Sequence, residues 1–197
     1  MIQLNAEPMS VEQLSLLEPV FGLPEGFAYR EDFVSAQEEG ELASHIAGLE
    51  LREFEFHGYL GKRRVTSFGL RYDFNDMAVH EAAEMPDFLL LLRDRAAAFA
   101  GLAPAELAHA LVTEYASGAA IGWHRDRPVF GDVIGISLGA PCRFRFRRKR
   151  GDGWERAAIM LAPRSAYLLR GPARHEWQHS IPPVEDLRYS VTFRSTR

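Results

Sequence analysis

The chain has 197 residues, 47% of them hydrophobic and 25% charged, with a formal net charge of −4. That length and balance suit a globular domain with a real core, and they exclude both a low-complexity chain and whole-molecule attraction to phosphate. The single cysteine, Cys142, excludes an intrachain disulfide and any multi-thiolate metal site.

No run is long enough to span a membrane. Met1-Ile2-Gln3-Leu4-Asn5-Ala6-Glu7 lacks the basic start and apolar centre of a signal peptide. The expectation is a cytoplasmic monomer, in the compartment where a lone thiol stays reduced. Charge is unevenly spread. Acid gathers before residue 55 and between Asp73 and Asp94, and base gathers in Lys62-Arg63-Arg64 and from Arg143 to Arg150. Such runs are commonly solvated faces, and that reading stands beside any functional one.

Residues 1–27 form an N-terminal extension in which Ser10 to Leu17 could make a short helix before Pro19, Gly22, Pro24 and Gly26 break it. Residues 28–197 are expected to be one domain. Ser35-Ala36-Gln37-Glu38 fits a capping box. The helix behind it should run to about Ala47, with Leu42, Ile46 and Leu49 facing a core. Aromatics and charges alternate from Phe54 to Phe74 around Gly58 and Gly61, which predicts a hairpin or two short strands with a mobile tip. Pro86 opens a second helix with an apolar stripe of Phe88, Leu89, Leu92, Ala96 and Phe99.

After Ala108 the period changes. Strand-like runs cover Ala110–Tyr115, Val133–Leu138, Cys142–Arg147, Arg156–Leu161, Ala166–Arg170 and Tyr189–Phe193, separated by turn residues. In Cys142-Arg143-Phe144-Arg145-Phe146-Arg147 the alternation is strict. Many short strands in series after two helices predict an α+β fold, with a jelly-roll or sandwich core and the helices on one outer face.

Within this frame, His124-Arg125-Asp126 sets an imidazole and a carboxylate on one side of an extended segment. Two imidazoles and one carboxylate can grip one face of an iron(II) ion and leave the other face open. The distal imidazole is His175 or His179. His179 is preferred because Ser180-Ile181-Pro182-Pro183 ends its strand sharply, and the nine-residue step to Arg188 allows an antiparallel return to the metal. His175 is then a residue behind the ligands or on the substrate side, or simply a strand histidine. His45, His57, His80 and His109 read as structural or exposed. Arg188 and Arg194 are an even step apart, so they share one strand face with Ser190 and Thr192, while Tyr189, Val191 and Phe193 face a core. Such guanidiniums suit bidentate binding of a dicarboxylate. A solvated edge strand is the plainer alternative.

Trp123-His124-Arg125-Asp126, Ile136-Ser137-Leu138-Gly139, Trp177-Gln178-His179-Ser180-Ile181 and Arg188-Tyr189-Ser190-Val191-Thr192-Phe193-Arg194 together resemble the AlkB family of Fe(II)- and 2-oxoglutarate-dependent dioxygenases. The resemblance implies a double-stranded β-helix with His124, Asp126 and His179 as iron ligands. It puts Arg188 on the distal carboxylate of 2-oxoglutarate and Arg194 near the end that chelates iron. Tyr115 matches a tyrosine that bonds the co-substrate, and Thr113 and Ser190 stand where the family's demethylases carry asparagine. Arg127-Pro128-Val129-Phe130 stands where some of them carry an acidic reader of the base, and Asp132 lies further along.

The activity implied is an O2-dependent oxidation in which 2-oxoglutarate becomes succinate and a substrate C–H bond is hydroxylated. On an N-methyl group this would release formaldehyde from an alkylated DNA or RNA base. Residues 54–74 would form a nucleotide-recognition lid offering stacking and phosphate contacts, with Phe56, Tyr59, Lys62, Arg63, Arg64, Phe68, Tyr72 and Trp123 as candidates. An aromatic hairpin packed on the core is the alternative. Arg143, Arg145 and Arg147 could make a second phosphate-binding face, while Cys142 fills the core. The rival functions are hydroxylation of a tRNA base or a protein side chain, and a jelly-roll binding module without catalysis.

Overall fold

In the computed structural model Ser35 starts the first helix through a capping box. Its hydroxyl accepts from the Glu38 N–H at 3.2 Å, and the Glu38 carboxylate accepts from the Ser35 N–H at 2.7 Å. The structure describes residues 22–56, 59–73 and 76–196, and for 54–56 and 59–61 the backbone only. The expected helix at Ser10 to Leu17 lies outside the described residues.

In chain order the elements are β1 (Phe27–Arg30), α1 (Ala36–Ala47), β2 (Arg52–Phe56), β3 (Tyr59–Phe68), β4 (Leu70–Asp73), β5 (Ala78–Glu81) and α2 (Asp87–Ala100). A 3-10 turn (Pro104–Glu106) follows. Then come β6 (His109–Tyr115), β7 (Ile121–His124), β8 (Phe130–Gly139), β9 (Cys142–Arg150), β10 (Gly153–Leu161), β11 (Ser165–Leu169), α3 (Gly171–His175), β12 (Gln178–Ile181) and β13 (Arg188–Thr196). Phe27, placed in the extension by sequence, instead opens β1, which pairs with β11.

Two antiparallel sheets face each other. The larger has the order β1-β11-β8-β13-β6-β3-β2 and the smaller β10-β9-β12-β7, while β4 and β5 form a separate hairpin. This is the jelly-roll arrangement expected from the strand series. The helices cover the outer face of the larger sheet as expected. Leu42 and Ile46 of α1 and Leu89, Leu92 and Ala96 of α2 pack with Val112, Ile134, Ile136, Val191 and Phe193 in one core cluster. Gly101 stops α2 in a left-handed conformation, φ +66°, which glycine adopts without a Cβ clash.

The opposite faces of the same strands line the space between the sheets. There Phe144, Phe146, Cys142 and Leu161 of the smaller sheet meet Phe27, Tyr167 and Leu169 of the larger. Cys142 therefore fills the core, and β9 alternates buried residues with exposed Arg143 and half-buried Arg145 and Arg147 as its sequence requires. Gly135 lets this layer close, because a Cβ there would sit 2.2 Å from the Tyr167 ring.

Residues 63–68 of the predicted lid segment are strand-paired. They pair with β6 from Arg63↔Tyr115 to Phe68↔Ala110, so this part of the predicted hairpin is a strand of the larger sheet.

Candidate metal and co-substrate site

β7 and β12 are antiparallel neighbours with His124 opposite His179. Asp126 follows two residues after His124, just beyond the end of β7. One ligand atom from each of the three lies within 4.8 Å of the others. The imidazole rings are 4.2 Å apart between centroids, and Asp126 Oδ2 is 3.7 Å from His179 Nε2. His124 Nδ1 lies 2.9 Å from the Gly122 carbonyl, which can only accept, so Nδ1 carries the proton and Nε2 presents its lone pair.

Electrostatics prepare the set for a cation. Burial, helped by His124, pushes His179 down to about 3, so it is neutral. Burial alone would raise the Asp126 carboxyl, but Arg194, then His179 and His124, hold it well below the usual carboxylate range. Arg194 donates from Nε (2.7 Å) and Nη2 (2.6 Å) to Asp126 Oδ1, leaving Oδ2 towards the histidines. The second arginine thus orients the carboxylate of the candidate metal cluster, a contact not anticipated from the sequence. Its Nη1 lies 3.3 Å from His109 Nδ1. His109, read as structural or exposed, is buried in β6 against the Phe130 ring.

His175 does not share a strand with His179. It closes the short helix α3 and is exposed, and its carbonyl accepts from Arg125.

Arg188 is 1% exposed and lies on the inner face of β13. Its Nε donates to Ser137 Oγ at 3.2 Å, and its guanidinium lies 4.9 Å over the Tyr115 ring. Nη1 has no protein partner, although it is buried. A buried guanidinium donor is costly to leave unsatisfied, so the site calls for an anion at this point. Thr113 and Ser190 are register partners on the same inner surface, both buried. Arg63, opposite Tyr115 in β3, is hydrogen-bonded to that phenol and faces inward. Burial pushes the Tyr167 phenol up, and Arg188, Tyr115 and Asp126 all lie within its electrostatic reach. Sequence reasoning gave no role to Tyr167, or to Ser137 within its motif. Their inward parity, Ser137 on β8 beside β13 and Tyr167 on β11 beside β8, was the available signal.

The substrate candidates divide. Phe68 is buried in the helix-side core, so it cannot stack on a base. Arg64 points to that same side and pairs with Glu114 at 2.8 Å, because its strand parity opposes that of Arg63. Tyr72 lies under Arg127 at 4.9 Å, and Trp123 lies under both Arg147 (4.5 Å) and Arg145 (5.0 Å). Lys62 is exposed, and the side chains of Phe56 and Tyr59 lie outside the described residues. Asp132 is ion-paired with Arg170.

The family model of the 2OG-Fe(II) oxygenase superfamily matches residues 28–194. The chain belongs to this superfamily. It is 30% identical over 210 residues to the "Alkylated DNA repair protein ALKBH8 homolog" of Arabidopsis thaliana, covering 93% of this chain and 59% of that protein. It is also 30% identical over 122 residues to "Alpha-ketoglutarate-dependent dioxygenase AlkB" of Escherichia coli, covering 56% and 55%. The chain therefore spans only about half to three fifths of the length of these relatives. Among solved structures, OsALKBH1 superposes with a TM-score of 0.68 at 17% identity, over 86% of this chain and 96% of that one. This likeness shows the shared fold and agrees with the AlkB-like motifs.

Fe(II), 2-oxoglutarate and dioxygen are accordingly the cofactor and co-substrates of this superfamily, and the residues present fit them. The two histidines and the aspartate would supply one face of donors, and the orphaned Arg188 Nη1 would suit a carboxylate. Among the described residues no helix is long and apolar enough to cross a membrane.

Proposed function

We propose that the chain is an Fe(II)- and 2-oxoglutarate-dependent dioxygenase that removes N-alkyl groups from DNA or RNA bases. One observation carries the chemistry: the His124, Asp126 and His179 cluster shares an interior with a buried guanidinium that lacks a partner. The nucleic-acid substrate is supported by similarity to relatives named for alkylated DNA repair and AlkB. Iron and 2-oxoglutarate, when bound, supply an oxidant for C–H hydroxylation while 2-oxoglutarate becomes succinate and carbon dioxide.

The protein's part is positioning. His124, Asp126 and His179 hold one face of the metal and leave the other open. Arg188 binds the far carboxylate of the co-substrate, with Thr113, Ser190 and Tyr115 as polar neighbours. Arg194 fixes Asp126, which sets its guanidinium near the end of the co-substrate that would chelate iron. Phe144, Phe146 and Tyr167 keep water from the reacting carbon. A base in a duplex cannot reach this interior, so the substrate nucleotide is unpaired or flipped. A hydroxylated N-methyl group then breaks its C–N bond and leaves as formaldehyde, and the base nitrogen recovers its proton.

The test incubates the chain with Fe(II), 2-oxoglutarate and N-methylated oligonucleotides. Succinate and formaldehyde should appear in equal amounts and vanish in His124→Ala. Succinate without formaldehyde would assign the same engine to another target. Neither product, with iron and 2-oxoglutarate both bound, would overturn the reading.

A further inference from the structure

The smaller sheet has an outer face that the reaction described above does not use. Register places Arg143, Arg145, Arg147 and Lys149 of β9 on it, beside Trp154, Arg156 and Met160 of β10 and Gln178 and Ser180 of β12. Trp123 of β7 joins them, packed against Arg145 and Arg147. Arg143, Lys149, Trp154, Arg156 and Met160 are exposed.

The cations are arranged. Arg147 is sandwiched between Trp123 at 4.5 Å and Trp154 at 4.3 Å, and its Nε donates to Gln178. Arg145 Nε donates to Ser180. Lys149 lies 5.7 Å from the Trp154 ring. Among the described residues none of Arg143, Arg145, Arg147, Lys149 and Arg156 is ion-paired with a carboxylate. The acids nearby, Glu155 and Glu176, are taken by Arg148. Five uncompensated cations on one face of a chain with net charge −4 are a local inversion that solubility does not require.

We propose that this face is a docking platform for single-stranded nucleic acid, an inference that rests on the nucleic-acid reading above. Guanidiniums held flat on indoles offer N–H donors to phosphate, and Trp154 offers an exposed ring to a base. A membrane or an acidic protein would meet the charge but has no use for the indole–guanidinium stack. The location fits delivery to the iron. β7 is the edge strand of this sheet, with Trp123 on its outer face and His124 on its inner face. A strand that crosses the platform from β10 to β7 and turns round this edge would present a later base to the metal side.

The test uses the full chain and fluorescein-labelled 20-nucleotide oligo-dT and oligo-U, read by anisotropy over a salt series. Arg143→Glu with Arg156→Glu should weaken binding at least tenfold and flatten the salt dependence by about 1.4 in log–log slope, as for two lost single-strand phosphate contacts. Trp154→Ala should weaken binding by roughly fivefold or more while Trp154→Phe keeps most of it. Melting temperatures should be unchanged, because these side chains are exposed. Arg30→Glu with Arg52→Glu makes the same net-charge change away from the platform and should leave binding within about twofold. Equal loss in that control, or unaltered affinity and slope in the platform variants, would overturn the proposal. Turnover separates it from the reading it rests on. Platform variants should keep wild-type succinate formation with a single N-methylated nucleoside and lose it only with oligonucleotides. A wild-type chain that demethylates oligonucleotides as well as its platform variants do would remove the platform and leave the activity standing.

Discussion

Arg188 is the residue whose chemistry is most exposed to test. A charged donor without a partner destabilises the folded chain until an anion arrives. Arg188→Met should therefore match or exceed the wild-type melting temperature in the absence of ligands. It should also raise the 2-oxoglutarate Kd about 10- to 100-fold, the loss of one charge-assisted contact. Scanning calorimetry on the metal-free protein reads the first and titration calorimetry on the Mn(II)-loaded protein the second, and an unchanged Kd would place the co-substrate elsewhere. His109 gives a pH test. Burial, then the charge of Arg194, pushes it well below the ordinary histidine range, while Asp126 pulls weakly the other way. The unfolded chain protonates this ring near pH 6.5 and the folded chain does not. Stability from this group is full above that pH and is lost as pH falls towards the depressed value. His109→Gln keeps an acceptor for Arg194 but removes the titration. Between roughly pH 6 and pH 5 the wild type should lose up to about 1.4 kcal/mol per pH unit more than the variant, by urea melts. The clustering of His124, Asp126 and His179 was legible because their spacing is tied to chemistry. Arg194 and His109 were not. Which anion a guanidinium meets depends on strands brought side by side, and nothing in Phe193-Arg194 says that Asp126 lies opposite.

At the level of elements the helices were legible nearly to the residue, because the Ser35 box and the Pro86 start are local signals. His175 was offered as a strand histidine, whereas it ends α3. Its five-residue helix is too short to show a period, and it is held by long-range contacts. Arg174 shows how. It is buried and donates to the carbonyls of Gly131 (2.8 Å), Asp126 (3.2 Å), Arg127 (2.8 Å) and Phe130 (2.8 Å). One side chain thus fixes the loop that follows the metal strand and carries the Asp126 ligand. Arg174→Ala leaves those carbonyls without donors and should cost about 3 kcal/mol or more. Hydrogen exchange should rise first in residues 126–131, and Fe(II) affinity should fall by about tenfold, as when outer partners of a ligand are removed. Arg174→Lys should not rescue it, since an ammonium cannot fan across four carbonyls. Unaltered exchange in that loop would refute the clamp.

For the whole molecule, the alternation of β9 was enough to predict a two-sided sheet, but not which sheet β3 would join. Parity then decided the fate of neighbours. Arg63 turned inward to Tyr115 and Arg64 outward to Glu114, a split that a run of like charges cannot reveal. Among the described residues this interior gathers the guanidiniums of Arg63, Arg188 and Arg194 around a single metal-site carboxylate, Asp126, with Arg174 also within its electrostatic reach. That surplus of positive charge makes folding and ligand binding one problem, because a dianion relieves repulsion that the empty fold must bear. Mn(II) with N-oxalylglycine, an unreactive mimic of 2-oxoglutarate, should therefore raise the melting temperature by about 5–10 °C at 100 times its Kd. The rise should divide between the two subsites. His124→Ala should lose the metal's share and most of the mimic's, since the mimic chelates the metal. Arg188→Met should keep the metal's share and lose the mimic's. An equal rise in Arg188→Met and wild type would mean that the anion binds without the buried guanidinium, and the charge argument for this interior would fail.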